Sequence, residues 1–145
     1  MADDSNALQD NKDAENDAEK DSEKTVFYDF GAGTADVGEI VGRIEGAFRY
    51  ALVVERGPRA GLTYVLGEGE TVAGRSEDID IFLGDVTVSR RHACFTVDEQ
   101  GLRVEDLRST NGTYVNAERQ ESAQLQPGDE VIIGKFHLVV AGGHG

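Results

Sequence analysis

The sequence has few of the residues on which several classes of protein depend. Its 145 residues include one cysteine, two prolines and no tryptophan, and 28 acidic residues outnumber 14 basic ones. The single cysteine, Cys94, excludes an internal disulfide, and because it lies in an apolar run we expect a buried, unreactive thiol. The net charge of −14 disfavours general binding to nucleic acid or to a membrane surface, because both are negatively charged.

The sequence also lacks any segment that resembles a membrane anchor or a secretion signal. No apolar run is long enough to cross a bilayer. The first 24 residues, MADDSNALQDNKDAENDAEKDSEK, are polar and acidic, unlike a secretory signal peptide. We therefore expect a cytoplasmic protein, and its length favours one domain with a tail.

Charge and hydrophobicity divide the chain near residue 46. Residues 1–46 hold 13 acidic and 4 basic residues, and the first 24 contain one large aliphatic residue, Leu8, and no aromatic residue. Such a segment cannot bury enough apolar surface to offset the entropy of ordering, so we predict that it is disordered. We assign residues 1–46 to an acidic tail and residues 47–145 to a folded domain.

Two apolar patterns interrupt the acidic tail. In KTVFYDF, the residues from Val26 to Phe30 form an aromatic cluster that either docks on another surface or begins a first strand. Further along, apolar residues recur at helical spacing, at Val37, Ile40, Val41 and Ile44. Gly38 and Gly42 each weaken a helix by about 1 kcal/mol relative to alanine, so this stretch is predicted to be a mobile linker with a marginal helical turn.

From Ala51 onward the pattern is that of an all-β domain. ALVVERGPRAGLTYVL contains two β-rich runs around a Gly-Pro-Arg-Ala-Gly turn, which is typical of a hairpin. Some nine to eleven short strands follow one another, with turns every 8–12 residues. The domain is therefore predicted to be a β-sandwich or a barrel.

The residue patterns of enzymes are weak in this sequence. Ser89 and His92 are a possible nucleophile and base, but no motif marks an orienting carboxylate or an oxyanion hole. The histidines His92, His137 and His144 do not have metal-ligand spacing. The glycines of GAGTADVG neither follow a buried strand nor begin a good helix, so they do not form a dinucleotide loop. We expect no catalytic residue, no metal and no cofactor.

Polar residues that suit a phosphate group occur in three predicted loops. The first loop contains Arg75, the second contains Ser89, Arg90 and Arg91, and the third contains Arg108, Ser109, Thr110 and Asn111. Guanidinium groups, hydroxyls and an amide together suit a phosphate dianion with a peptide strand beside it. Taken alone, each of these residues is typical of an ordinary surface turn, and it is their occurrence together that indicates a site.

These blocks resemble the forkhead-associated (FHA) signature over about residues 50–141. The matching motifs are Gly74-Arg75, Ser89-x-x-His92, and Ser109 to Thr113 with Val115-Asn116. The resemblance implies an eleven-stranded antiparallel β-sandwich that binds phosphothreonine through loops at one end. It also implies a role for each matching residue: phosphate binding by Arg75 and Ser89, added contacts from Arg90 and Thr110, main-chain binding by Asn111, and structural roles for Gly74, His92 and Gly112.

Residues 22–141 also resemble the actinobacterial inhibitors of oxoglutarate dehydrogenase. The resemblance rests on EKTVFYDF, DIFLGDVTVSRRHA and STNGTYVN. It implies a regulator that binds the E1 component of 2-oxoglutarate dehydrogenase, and in some lineages glutamate dehydrogenase and glutamate synthase, while unphosphorylated. It further implies that serine/threonine kinases phosphorylate a tail threonine, which then binds the protein's own domain and switches it off.

The segment that corresponds to the phosphorylated one is residues 22–30. The family tail typically carries two adjacent threonines after a glutamate, whereas this sequence has Glu23-Lys24-Thr25 and so a single candidate, Thr25. We expect a monomer. The alternative function is a phosphothreonine-dependent adaptor in kinase signalling or cell-envelope assembly.

Overall fold

The computed structural model describes residues 26–30, 36–57 and 59–143. The tail predicted to be disordered, residues 1–24, and the candidate phosphorylation site Thr25 lie outside the described residues. Residue His144 lies outside them as well.

The described residues form two β-sheets and one short helix. In chain order the elements are β1 (Val26–Asp29), α1 (Val37–Arg43), β2 (Tyr50–Arg56), β3 (Leu62–Leu66), β4 (Gly69–Gly74), β5 (Ile81–Phe82), β6 (Ala93–Asp98), β7 (Gly101–Asp106), β8 (Thr113–Val115), β9 (Glu118–Arg119), β10 (Ser122–Leu125), β11 (Glu130–Ile133) and β12 (Phe136–Gly142). One sheet has the order β1-β3-β2-β12-β11-β8-β9 and the other β10-β7-β6-β4-β5.

The predicted all-β sandwich is confirmed. Eleven strands, β2 to β12, lie within residues 47–145, and β1 adds a twelfth at the edge of the larger sheet. The strand pairs are antiparallel except for the parallel pair of β4 with β5. The inner faces of both sheets form the core, whose largest side chains include Phe95, Phe136 and Leu102.

Cys94 is a buried free thiol, as predicted. The residue is 7% exposed on strand β6. Burial raises the pKa of this thiol, so the reactive thiolate is disfavoured.

The predicted helical turn is present as α1, but it packs on the domain and does not form a mobile linker. Asp36 caps this helix, its Oδ1 accepting the Gly38 N–H at 2.9 Å. Ile40 is fully buried and Ile44 is 4% exposed, and both pack on the outer face of the larger sheet. This burial outweighs the low helix propensity of the two glycines, because tertiary packing contributes more to a short helix than propensity does.

The aromatic cluster of the tail forms the edge strand β1. Val26 pairs with Val65 of β3, and Asp29 pairs with Leu62. Of the two interpretations of the cluster, the structure therefore shows the strand. No helix in the described part of the chain is long and apolar enough to cross a membrane.

Candidate functional site

Three loops meet at one end of the sandwich because the strands that carry them are neighbours. We call residues 75–80 the first loop, residues 83–92 the second loop and residues 107–112 the third loop. Ala93 at the start of β6 pairs both with Ala73 of β4 and with Asp106 of β7. Strands β4 and β7 thus end, and strand β6 begins, at the same end of the smaller sheet. This brings together the loop residues that the sequence predicts to bind phosphate.

Arg75 is exposed and is fixed against the second loop. Its backbone N–H donates to the carbonyl of Ser89 at 2.9 Å, and its Nε donates to the carbonyl of Val88 at 3.0 Å. The side-chain hydrogen bond holds the guanidinium against the second loop, at the residue that precedes Ser89. A fixed guanidinium at this position is suited to a phosphate.

Ser89 joins the second loop to the third. Its Oγ accepts a hydrogen bond from the backbone N–H of Thr110 at 3.0 Å. Asn111 makes a second link, its Nδ2 donating to the carbonyl of Thr87 at 2.9 Å. Thr110 and Asn111 are both exposed, so the linked loops present their polar groups to solvent.

Arg90 lies in the same exposed region, next to Arg91. The carbonyl of Arg90 accepts the N–H of Ser76 at 3.2 Å, which ties the first loop to the second. The Ser76 hydroxyl lowers the pKa of Asp78, and both arginines lower it further through their positive charge. The two guanidinium groups therefore carry their charge close to the first loop.

His92 is fully buried beneath these loops and both its ring nitrogens are used by backbone groups. Nδ1 accepts the N–H of Ser89 at 3.0 Å, and Nε2 lies 2.8 Å from the carbonyl of Gly112. Because Nδ1 is an acceptor, the ring proton is on Nε2, which donates to Gly112. The imidazole therefore holds the second and third loops together, which supports the structural role that the resemblance implies.

The two glycines of the motifs allow close approaches that a side chain would prevent. A Cβ at Gly74 would lie 2.1 Å from the carbonyl oxygen of Arg90. Gly112 has a φ of +87°, and a Cβ there would lie 2.5 Å from Nε of Arg119. The contact with the Arg90 backbone requires glycine at position 74, and the positive φ favours glycine at position 112.

Asp106 is a structural residue of the site that the sequence reasoning missed. Its carboxylate accepts hydrogen bonds from the Ser109 hydroxyl at 2.5 Å, the Ser109 N–H at 3.1 Å and the Thr113 hydroxyl at 2.7 Å. Burial acts to raise the pKa of this carboxyl, but the hydrogen bonds outweigh burial and the pKa lies below its ordinary value. The sequence carries a local signal, since aspartate side chains commonly accept hydrogen bonds from backbone N–H groups a few residues away.

Asp85 and Thr87 organise the second loop in a similar way and were also missed. Both the N–H and the hydroxyl of Thr87 donate to the carboxylate of Asp85, and these hydrogen bonds lower the pKa of Asp85. The hydroxyl oxygen of Thr87 in turn accepts a hydrogen bond from the N–H of Lys135, in the turn between β11 and β12, at 3.2 Å.

The candidate site is a surface of loop tips and not an enclosed cavity. A cleft of about 880 Å³ beside the third loop is lined by Asp106, Arg108, Ser109 and Arg119 among others, and none of the five residues predicted to contact ligand lines it. Within the described residues, no group of three or more histidine, cysteine, aspartate or glutamate side chains is placed to hold a metal ion. The arrangement suits an extended ligand that lies across the loops.

The comparisons with known proteins agree with this geometry. The FHA domain family model matches residues 71–134. A solved structure from an analysis of phosphothreonine-dependent FHA domain interactions is 36% identical, with a TM-score of 0.59, and the alignment covers 64% of this chain and 95% of that one. This chain belongs to the FHA domain family. The resemblance seen in the sequence motifs of this FHA domain is thereby confirmed.

Two curated relatives of this FHA protein are regulators by name. The oxoglutarate dehydrogenase inhibitor of Corynebacterium efficiens is 55% identical over 92 residues, which are 63% of this chain and 65% of that protein. The glycogen accumulation regulator GarA of Mycobacterium tuberculosis is 58% identical over 88 residues, which are 61% of this chain and 54% of that protein. The chain thus spans between half and two thirds of the length of these relatives.

Proposed function

We propose that this protein is a phosphothreonine-binding regulator whose loop site consists of Arg75, Ser89, Arg90, Thr110 and Asn111. The observation that carries the proposal is the hydrogen bond from the Thr110 N–H to Ser89 Oγ, with Arg75 fixed beside it. That contact places a guanidinium, a hydroxyl and exposed polar groups of the third loop on one surface. The solved FHA structure to which this chain is similar comes from work on phosphothreonine-dependent interactions.

The hydrogen bonds in the structure suggest how each group would act. Because Ser89 Oγ accepts from Thr110, its own proton is directed elsewhere and can be donated to a phosphate oxygen. Arg75 and Arg90 supply positive charge, and charge-assisted hydrogen bonds to phosphate are stronger than neutral ones. Asn111 uses one N–H on Thr87, which leaves its Oδ1 and its second N–H for the main chain of a bound peptide.

A binding role suits the site better than a catalytic one. His92 accepts a hydrogen bond from the backbone N–H of Ser89, and its other ring nitrogen faces Gly112. Neither ring nitrogen is therefore free to take a proton from the Ser89 hydroxyl, as a general base would. We propose a regulatory protein, not an enzyme, and the regulatory names of both curated relatives support this.

The target that we propose is the E1 component of 2-oxoglutarate dehydrogenase, inhibited by the unphosphorylated protein. The name of the Corynebacterium efficiens relative supports this target. Glutamate dehydrogenase and glutamate synthase are further candidate partners. We place the protein in the cytoplasm, as a monomer.

We propose further that serine/threonine kinases phosphorylate Thr25 and so switch the regulator off. Phosphorylation adds about −1.5 to −2 charges, which the arginines of the loop site would attract. The tail and its own domain are one chain, so the effective concentration of the phosphothreonine at the site is on the order of millimolar. A site that binds free phosphopeptide with a dissociation constant of about 1–10 μM would then be closed about 100- to 1000-fold over open.

A pull-down with and without phosphate on Thr25 tests the proposal. The unphosphorylated protein should retain 2-oxoglutarate dehydrogenase and inhibit it, and the protein phosphorylated on Thr25 should do neither. Thr25→Ala, treated with the same kinase, is the matched control and should stay active as an inhibitor. Capture of phosphorylated ligands alone, with no effect on the dehydrogenase, would favour the adaptor function instead.

A further inference from the structure

The tail segment that follows Thr25 already occupies a defined place on the domain. Strand β1 pairs with the edge strand β3 through four residues, from Val26 with Val65 to Asp29 with Leu62. Phe27 packs on the ring of Tyr64, with the ring centroids 6.0 Å apart. We call this arrangement the docked state of the tail.

Aromatic contacts extend the docked state toward α1. The rings of Tyr28 and Phe30 are stacked with centroids 5.7 Å apart, and the guanidinium of Arg43 lies 5.8 Å from the centre of the Phe30 ring. The N–H of Phe30 donates to the carbonyl of Gly61 at 3.2 Å. The docked state therefore joins the edge strand, the helix and the outer face of the larger sheet.

The register of β1 fixes which end of the sandwich its first residue faces. Arg56, at the end of β2, is followed by Gly57, where a Cβ would touch the carbonyl of Lys135. The N–H of Lys135 donates to Thr87 in the second loop, so this end of β2 is the loop end.

The opposite end of β2 lies away from the loops. Tyr50, the first residue of β2, pairs with Leu66, and its hydroxyl lies beside Gly101. Gly101 is the first residue of β7, whose other end, Asp106, leads into the third loop. Val65 precedes Leu66, and Val26 pairs with Val65. Val26 is therefore at the end of the larger sheet that faces away from the candidate phosphate site.

A residue bonded to Val26 cannot reach the loops while β1 is docked. Strand β2, from Tyr50 to Arg56, spans roughly 20 Å at about 3.4 Å per residue, and the loop site lies beyond Arg56. The Cα atoms of Thr25 and Val26 are joined by one peptide and lie about 3.8 Å apart. One residue of chain is far shorter than the distance to be covered.

Release of β1 removes this restriction even if α1 stays packed on the sheet. The eleven residue-to-residue steps from Thr25 to Asp36 span up to about 36–40 Å when the chain is extended. That length exceeds the length of the sheet. The docked state is also suited to release, because β1 is a short edge strand in which Val26 is 51% exposed and Phe27 is 60% exposed.

We infer that docking of β1 on β3 and binding of phosphothreonine 25 by the loops of the same molecule are mutually exclusive. The inference rests on the proposed function. It adds that the docked strand keeps residue 25 from the loops in the unphosphorylated protein, and that phosphorylation closes the molecule only by pulling β1 off β3. The edge of β3 and the loop site are thus two competing binding surfaces for one tail.

A disulfide that locks β1 in place tests this competition. Val26 and Val65 are paired in register and line the same surface cavity, and paired Cα atoms in an antiparallel sheet lie about 4.5–5.5 Å apart, within the range of a disulfide. The variant carries Val26→Cys and Val65→Cys in a Cys94→Ser background, with phosphothreonine incorporated at position 25. The probe is a labelled peptide of residues 18–31 with phosphothreonine at position 25. The reduced form and the Cys94→Ser single variant are the matched controls.

The reduced and the oxidised phosphorylated forms should differ in their affinity for the probe. The reduced phosphorylated form should bind it about 100-fold more weakly than the unphosphorylated protein does, because its own tail fills the loops. The oxidised phosphorylated form should bind it within about twofold of the unphosphorylated protein. An oxidised form as weak as the reduced one would overturn the inference while leaving the proposed closure intact. No binding of the probe to the unphosphorylated protein, or no weakening in the reduced form, would instead refute the proposed function.

NMR on the unaltered chain gives a second test that needs no disulfide. Phosphorylation at Thr25 should shift the amide signals of Ser89 and Asn111 together with those of Thr63 and Val65, whose strand loses its partner β1. The shifts should not depend on protein concentration, since both events occur within one molecule. Loop shifts without shifts on β3 would overturn the inference, and shifts that appear only on concentration would show that the tail binds a neighbouring molecule while β1 stays docked.

Discussion

The imidazole of His92 connects Ser89 to Gly112, with Nδ1 accepting from the Ser89 N–H at 3.0 Å and Nε2 donating to the Gly112 carbonyl at 2.8 Å. The two partners belong to loops that are 23 residues apart in sequence, between Ser89 and Gly112. One buried ring thus sets the spacing of the groups that we propose to hold a phosphate. Its removal should affect folding and binding together.

His92→Ala should lower both the melting temperature and the affinity for a phosphothreonine peptide. The substitution leaves the half-buried N–H of Ser89 and the buried carbonyl of Gly112 without partners, at a cost of up to about 1–3 kcal/mol each. For a domain of this size, each 1 kcal/mol shifts the melting temperature by roughly 4–8 °C. Calorimetric melting and peptide titration measure the two effects. Lost binding with an unchanged melting curve would argue that His92 contacts the ligand directly.

Arg75→Ala should weaken binding of a phosphothreonine peptide by at least about tenfold without unfolding the domain. The backbone N–H of Arg75 keeps its hydrogen bond to Ser89, while the guanidinium and its hydrogen bond to the carbonyl of Val88 are lost. A charge-assisted hydrogen bond contributes roughly 1.5–3 kcal/mol, and 1.4 kcal/mol corresponds to a factor of ten. Arg75→Lys, which keeps the charge but not the fork of donors, should recover part of the affinity. Unchanged affinity in a folded Arg75→Ala protein, measured by titration calorimetry, would remove Arg75 from the site.

The sequence could predict which residues the three loops bring together, because the signals for these residues are local. Gly74, Ser89 and Asn111 lie in short motifs, and both the motifs and their order along the chain can be recognised without knowledge of the fold. The position of α1 was not predictable in the same way, because it depends on the outer faces of β2 and β12, which come together only in the folded chain. One signal was present: ALVV in β2 is a continuous apolar run, and such a run indicates a strand buried on both faces.

Asp106→Asn should destabilise the domain at neutral pH, and the effect should shrink in acid. The folded-state pKa of Asp106 lies below its ordinary value of 3.8, so the ionised carboxylate stabilises the folded protein at any pH above that value. This stabilisation is lost as the pH falls from about 3.8 through the lower folded-state pKa. Urea unfolding at pH 7 and at pH 3 measures the difference between variant and parent. The exposed Glu99→Gln serves as the control, and a destabilisation of the same size at both pH values would contradict the assignment.

Two glycine-to-alanine substitutions should change stability in opposite directions. At Gly74 the new Cβ would lie 2.1 Å from the carbonyl oxygen of Arg90, so the first and second loops must separate and the hydrogen bond from Ser76 to that carbonyl is lost. We expect a destabilisation of about 1–3 kcal/mol, as for overpacking elsewhere, together with weaker binding of phosphothreonine peptide.

At Gly42, in α1, an added Cβ meets nothing within 4 Å, and alanine is favoured over glycine in a helix by up to about 1 kcal/mol. Gly42→Ala should therefore raise the melting temperature and leave peptide affinity unchanged, because α1 lies on the larger sheet and contributes no residue to the three loops. Thermal unfolding of both variants measures the contrast, and an unchanged or lower melting temperature for Gly42→Ala would show that α1 does not contribute to the stability of the fold.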